Sequence, residues 1–197
     1  MIPEATLEHV LNHGVVAYPT STIPGLACLP TTKGLDALFT LKQRSSDKPV
    51  SLGVLSLDQA SELVQVPDLV RRIEDAFPQG AFTFILPAHQ ALDPRLGGER
   101  VAVRCLAHPI ARLLVESVGP ITATSANESG ETPADDARIA GQELGLPDHA
   151  ILPGGCPGGR GSTILNVLSS GAGWEVSIMR EGIIPTHDVA EWLKNPN

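Results

Sequence analysis

The chain alternates between apolar residues at helical spacing and short β-rich runs. Helical spacing predicts helices at residues 4–13, 32–44, 58–64, 67–76, 108–118, 134–144 and 187–193. The runs between them predict strands at residues 15–18, 50–55, 81–86, 101–104, 121–124, near 151, 163–168 and 175–179. This alternation is typical of an α/β layer fold and predicts a mixed sheet.

Two segments rich in proline and glycine interrupt this pattern. Residues 19–25 contain two prolines and a glycine after the first predicted strand, so we expect a rigid loop there. Residues 154–161 hold five glycines, which indicates tight turning or close approach to a ligand. Their spacing is neither that of a dinucleotide-binding fingerprint nor that of a Walker loop. The glycines alone therefore assign no function.

Composition describes an ordinary globular protein of 197 residues without a linker or compositional break, so we expect one domain over residues 1–197. The formal net charge of −8 argues against the broad basic surface of a tight nucleic-acid binder, and RNA contact would need a local patch. Neither the three cysteines nor the six histidines have metal-ligand spacing, and free thiols are expected. With no leader-like N-terminus and no long apolar run, we expect a cytoplasmic protein outside the membrane.

Basic residues are concentrated in one short segment. Lys42, Arg44 and Lys48 are three of the 14 Lys and Arg residues and lie close together in the chain. A planar guanidinium and flexible ammonium groups together suit the several oxygens of a triphosphate. The alternative is a helix whose basic last turn complements its dipole. The segment alone leaves both interpretations open.

Two further polar features follow predicted strands. Ser125-Ala126-Asn127 comes after the strand at residues 121–124, although Ser and Asn also favour capped turns without any ligand. Arg104 ends another apolar strand, where a buried cation needs an anionic partner. That partner is either an internal acidic residue or the carboxylate of a ligand.

The order of these signatures resembles the YrdC-like family of threonylcarbamoyl-AMP synthases over nearly the whole chain. The matching segments are Tyr18-Pro19-Thr20-Ser21-Thr22, Lys42-x-Arg44 with Lys48-Pro49, residues 101–104, His108-Pro109, residues 124–130, Ser162-Thr163 and Met179-Arg180-x-Gly182. The resemblance implies an α/β fold with a twisted mixed sheet, flanking helices and a large central cavity. It also implies a nucleotidyl transfer in which L-threonine, bicarbonate or CO2, and ATP give threonylcarbamoyl-adenylate and pyrophosphate. The product would serve the threonylcarbamoyladenosine modification of tRNA.

The resemblance also implies a role for each matching residue. The expected ATP contacts are Lys42, Arg44, Lys48, Asn127 and Arg180, with Arg100 as a further candidate. The expected threonine contacts are Thr22, Arg104, Ser125 and Ser162. No nucleophile is expected, because the reaction needs charge neutralisation and orientation more than covalent catalysis. Mg²⁺ is expected with ATP, held mainly by the nucleotide and water. Expected partners are bicarbonate, a possible tRNA contact and the tRNA threonylcarbamoyl-transfer machinery.

Five positions depart from the family pattern. Ser21 and Pro24 replace a Glu and an aromatic residue, and Gly53 replaces a His that contacts threonine in many members. Gly161 and Asn166 replace the acidic residues that flank the C-terminal Ser-Thr pair. These changes leave open weaker activity, a different amino acid substrate, or a nucleotide- or RNA-binding protein without synthase activity. A carbamoylation module like that of hydrogenase maturation proteins is a further alternative.

Overall fold

The computed structural model describes residues 1–132, 134–171 and 173–195. Its helices are α1 (Glu4–Leu11), α2 (Thr32–Leu41), α3 (Leu57–Ala60), α4 (Asp68–Ala76), α5 (Pro109–Val118), α6 (Ala137–Glu143) and α7 (Thr186–Lys194). Its strands are β1 (Val16–Tyr18), β2 (Gly25–Ala27), β3 (Ser51–Val54), β4 (Phe82–Pro87), β5 (Arg100–Cys105), β6 (Ile121–Ser125), β7 (Thr163–Ser170) and β8 (Gly173–Arg180). Short 3-10 helices lie at Pro94–Leu96 and Asp148–Ala150.

These strands form one mixed sheet in the order β1-β2-β6-β3-β5-β4-β7-β8. The pairs β3–β5 and β4–β7 are parallel, and the other neighbours are antiparallel. One apolar cluster packs α2, α4, α6 and α7 against the sheet, and a second contains residues of α1 and α5. The predicted fold class, a twisted mixed sheet with flanking helices, is confirmed.

The side chains of β5 alternate between the two faces of the sheet. Val101, Val103 and Cys105 are buried in the larger apolar cluster. Successive side chains of a strand point to opposite faces, so Arg100 and Arg104 lie on the other face. The chain therefore places two arginines opposite its main core.

Local signals set the ends of α5. The His108 ring accepts a hydrogen bond from the backbone N–H of Ile110 at 3.2 Å, and Pro109 occupies the first turn, where its missing N–H costs nothing. Gly119 ends the helix with φ of +82°. Among the helices described above, none is long and apolar enough to cross a membrane.

The structure differs from the predicted elements where long-range pairing overrides local pattern. Residues 25–27 form β2 between β1 and β6, so this strand begins at the last residue of the expected rigid loop. The strand predicted near residue 151 is wrong, because Ile151 makes only a single bridge to Ala17. The isolated bridge leaves this segment as a connection rather than a ninth strand.

Predicted helices are also shorter in the structure: those expected at residues 4–13 and 58–64 end at Leu11 and Ala60, and two further differences bear on the site. The helix expected at residues 32–44 ends at Leu41, because Lys42 turns into the protein and Gln43 adopts φ of +48°. The helix expected at residues 134–144 begins at Ala137, where the Asp136 carboxylate accepts hydrogen bonds from the first turn. The basic segment is therefore a loop after α2 and not its last turn.

Candidate functional site

A cavity of about 230 Å³ lies on the face of the sheet opposite the larger apolar cluster. Residues of β2, β3, β4, β5, β6, β7 and β8 all contribute to its wall. Five of the ten predicted site residues also line it: Arg44, Arg104, Ser125, Ser162 and Arg180. The structure thus brings together groups from both halves of the chain.

Arg104 is held at the cavity by neutral oxygen atoms. It is 9% exposed, and its Nε donates to the carbonyl of Gly80 at 3.0 Å. Its Nη2 donates to the hydroxyls of Thr22 (2.9 Å) and Ser21 (3.3 Å). Among the described residues, Nη1 has no partner and no carboxylate forms a salt bridge with this guanidinium. Arg104 is therefore oriented but not neutralised, which suits an anionic ligand.

Ser162 and Arg180 form the neighbouring part of the wall. The hydroxyl of Ser162 is 2.6 Å from that of Thr83, and the carbonyl of Ser162 accepts from Nη2 of Arg180 at 3.0 Å. Gly182 packs so closely against the segment that precedes β7 that a Cβ there would be 2.3 Å from the carbonyl oxygen of Gly161. Close backbone packing fixes the position of Ser162.

Arg44 reaches the cavity from the basic loop. Its Nε and Nη2 donate to the carbonyls of Lys48 (2.6 Å) and Pro49 (2.9 Å), so the side chain bridges the two ends of the loop at residues 44–49. Nη1 has no partner among the described residues. Lys48 is exposed and does not line the cavity, and its role in ATP binding stays a prediction.

Lys42 is placed differently from its predicted role. It is 1% exposed, and its Nζ donates to the backbone carbonyls of Ser125 (2.5 Å) and Asn127 (2.6 Å). Burial, with a smaller contribution from the charge of Arg44, lowers the pKa of Lys42 to about 8. The ammonium group therefore contacts a loop and not the cavity.

Three more predicted residues lie away from the cavity wall. Thr22 is fully buried and contacts Arg104 from outside the wall. Asn127 donates to the carbonyls of Glu128 and Glu131, while its buried Oδ1 has no partner among the described residues. Arg100 donates to Asn166 and to two backbone carbonyls, and four residues of strand place it roughly 13 Å from Arg104.

The electrostatics of the cavity are dominated by guanidinium groups. Burial lowers the pKa of Arg44, Arg104 and Arg180. For Arg104, Tyr18 and Glu74 oppose this shift, and the charge of Arg180 adds a smaller contribution in the same direction as burial. Within the described part of the wall there is no Asp or Glu. Tyr18 also lines the cavity, and burial raises its pKa to about 12, so the phenol is neutral at physiological pH.

Three departures from the family pattern lie directly beside arginines. Ser21 bonds Arg104, Asn166 bonds Arg100, and a Cβ at Gly161 would be 3.3 Å from Nη2 of Arg180. Because a neutral residue stands at each of these three positions, none of these arginines gains a carboxylate partner there. At Gly53 a Cβ would be 2.8 Å from Leu106, so a larger side chain there requires Leu106 to move.

The sequence prediction missed two residues that support the site. The carbonyl of Gly80 orients Arg104, and the hydroxyl of Thr83 pairs with Ser162. Thr83 lies on β4 between the core residues Phe82 and Phe84, so strand alternation assigns it to the cavity face. For Gly80 no sequence signal exists, because a backbone carbonyl acts independently of residue type.

Metal ligands do not converge in the described ranges: no group of three or more His, Cys, Asp or Glu side chains has the arrangement that holds an ion. The cavity offers cations and hydroxyls instead. The residues present thus define an anion-binding α/β protein.

Comparisons with known proteins assign this anion-binding protein to a family. The family model described as Telomere recombination, covering Sua5, YciO and YrdC, matches residues 9–182. A threonylcarbamoyl-AMP synthase of Coxiella burnetii (strain RSA 493) is 35% identical over 147 residues, which cover 72% of this chain and 78% of that protein. The chain therefore belongs to the Sua5/YciO/YrdC family.

Other relatives extend the match over most of the chain. A putative threonylcarbamoyl-AMP synthase of Methanocaldococcus jannaschii is 29% identical over 185 residues, covering 93% of this chain and 86% of that protein. The crystal structure of P. abyssi Sua5 complexed with L-threonine has a TM-score of 0.78 and 27% identity, covering 94% of this chain and 55% of that chain. The resemblance in the sequence signatures is confirmed.

Proposed function

We propose that the protein is a threonylcarbamoyl-AMP synthase, a nucleotidyltransferase that uses ATP, L-threonine and bicarbonate or CO2. The observation that carries the proposal is the convergence of Arg44, Arg104 and Arg180 on a wall without a carboxylate among its described residues. ATP, the carboxylate of threonine and bicarbonate all carry negative charge. The names of the relatives and the threonine bound to P. abyssi Sua5 support the same assignment.

The chemistry divides between the amino acid and the nucleotide. The amine of threonine attacks the carbon of CO2, an N–H proton passes to solvent, and a carbamate forms. A carbamate oxygen then attacks the α-phosphorus of ATP, the bond to the bridging oxygen breaks, and pyrophosphate leaves with the electron pair. Two anions must approach each other, so the protein accelerates the reaction by orientation and charge neutralisation.

The arginines supply this neutralisation from fixed positions. Arg104, through its unpartnered Nη1, binds the threonine carboxylate, and the hydroxyls of Ser125 and Ser162 lie on the same wall. Arg44 and Arg180 bind phosphate oxygens of ATP, and Mg²⁺ enters with the nucleotide. Because neutral oxygens already orient Arg44 and Arg104, little reorganisation is needed on binding. Transfer of the product to the tRNA-modifying machinery and a cytoplasmic location belong to the proposal.

Pyrophosphate release with a panel of amino acids tests the proposed function. Purified protein is incubated with ATP, magnesium and bicarbonate, with no amino acid, with L-threonine, and with each of the other amino acids. We expect release that requires threonine and bicarbonate together. Preference for another amino acid would assign Ser21, Gly53 and Gly161 to a changed specificity. Release that ignores both substrates would contradict the proposal.

A further inference from the structure

Lys42 is one of four lysines in the chain and lies in the basic segment, yet its amine is out of reach of the cavity. Lys33, Lys48 and Lys194 are exposed, whereas Lys42 is 1% exposed. Both acceptors of its Nζ are backbone carbonyls, at 2.5 and 2.6 Å, and it does not line the cavity. Burying a lysine ammonium group is costly in free energy, so the burial of Lys42 needs a structural explanation.

The reason lies in the loop that follows β6. The carbonyls of Ser125 and Asn127 turn inward. In the described part of the chain, the only backbone N–H that bonds either of them is that of Asn127, which contacts the Ser125 carbonyl at 3.1 Å. Buried carbonyls need donors, and an ammonium group supplies several from one atom. Charge-assisted bonds to both carbonyls fix their spacing.

The contact between the two segments is reciprocal. The carbonyl of Lys42 accepts a hydrogen bond from the N–H of Ser129 at 3.0 Å. On the other side, the N–H of Ala126 donates to the carbonyl of Pro24 at 2.8 Å. The loop is therefore held between the end of α2 and the segment before β2, and the side chain of Ser125 lies on the cavity wall.

We propose that Lys42 is a positioning residue that holds the loop of residues 125–129 in its binding conformation, and that it does not contact the phosphates of ATP. Arg44, two residues later, is the phosphate ligand of this segment. Lys42 acts through Ser125 and Asn127, whose backbone it bonds. The inference deepens the proposed function, and its effect on turnover rests on that function.

Two matched variants, Lys42→Met and Arg44→Met, separate the roles. The probe is inorganic tripolyphosphate, whose affinity is measured by calorimetry without turnover. We expect Lys42→Met to leave this affinity within about threefold of wild type and Arg44→Met to weaken it about tenfold or more. Equal weakening by Lys42→Met would overturn the proposal, and this result is independent of whether the protein makes threonylcarbamoyl-adenylate.

Kinetics distinguish positioning from a contribution to stability alone. We expect Lys42→Met to lower kcat/KM for the amino acid by about 100-fold, because Ser125 and Asn127 lose their fixed spacing. Unchanged kcat/KM would show that the contact serves only the fold and would overturn the proposal. The proposed function would fail separately, if the wild-type protein released no pyrophosphate.

A measurement on the wild-type protein covers the case in which Lys42→Met does not fold. In protein with ¹⁵N-labelled lysine, the buried amine of Lys42 should exchange slowly and give a resolved NMR signal, unlike the three exposed amines. We expect this signal to persist with little shift when tripolyphosphate is added. A large shift at saturation would indicate direct phosphate contact and overturn the proposal.

Discussion

Replacing Arg104 with methionine should lower threonine-dependent pyrophosphate release by about 10²–10³-fold without unfolding the protein. The guanidinium is 9% exposed and is bonded to Gly80, Thr22 and Ser21 through neutral oxygens. Among the described residues no carboxylate contacts this guanidinium directly, although the charge of Glu74 acts on it from a distance, and the free protein bears the desolvation cost. Removing the charge should leave the free energy of unfolding within about 1 kcal/mol of wild type.

Arg95→Met is the matched control because Arg95 is neutralised within the protein. Its guanidinium contacts Asp36 at 2.5 Å and Asp93 at 2.8 Å, and it does not line the cavity. This variant should keep its pyrophosphate release and lose about 1–3 kcal/mol of unfolding free energy. Kinetics and chemical denaturation of both variants test the contrast. An active Arg104→Met, or one that unfolds like Arg95→Met, would contradict the assigned role.

Gly182→Ala should be the most destabilising single-methyl change near the site. The added Cβ would lie 2.3 Å from the carbonyl oxygen of Gly161 and from the carbonyl carbon of Ser162, and these backbone atoms cannot rotate away. The N–H of Gly182 also donates to Oγ1 of Thr163 at 3.0 Å, so the chain has little room to shift. We expect a loss of about 3 kcal/mol in the free energy of unfolding.

Chemical denaturation measures this loss, and Gly155→Ala provides the control. A Cβ at Gly155 has no heavy atom within 4 Å among the described residues, and the position is free of a positive φ. That variant should stay within about 0.5 kcal/mol of wild type. Wild-type stability of Gly182→Ala would show that the wall at Ser162 is less tightly packed than the structure indicates.

The local sequence pattern is sufficient to predict the helices and strands that carry a signal of their own. Alternating residues in β4 and β5, and the Pro109 to Gly119 boundaries of α5, are visible in the chain. β2 is not visible in the sequence in this way, because Gly25-Leu26-Ala27 is only three residues long and is stabilised by pairing with β1 and β6. A partner strand as distant in the chain as β6 leaves no local periodicity in β2.

The same distinction separates the predicted site residues. Arg44 and Arg104 reach the cavity because loop and strand geometry place them there. Lys42 does not, since its acceptors at residues 125 and 127 are known only once the chain has folded. Arg100 shares a sheet face with Arg104, but a shared face does not mean a shared site along a strand. The charge pattern identifies the segment, and packing decides which of its cations faces the cavity.

The incorporation of ¹³C-labelled bicarbonate into an adenylate tests the central claim most directly. The protein is incubated with ATP, magnesium, L-threonine and labelled bicarbonate, and the nucleotide products are analysed by mass spectrometry. The account predicts threonylcarbamoyl-adenylate carrying the heavy carbon, with an equal amount of pyrophosphate. An adenylate of threonine that lacks the label, or no adenylate despite ATP binding, would contradict it.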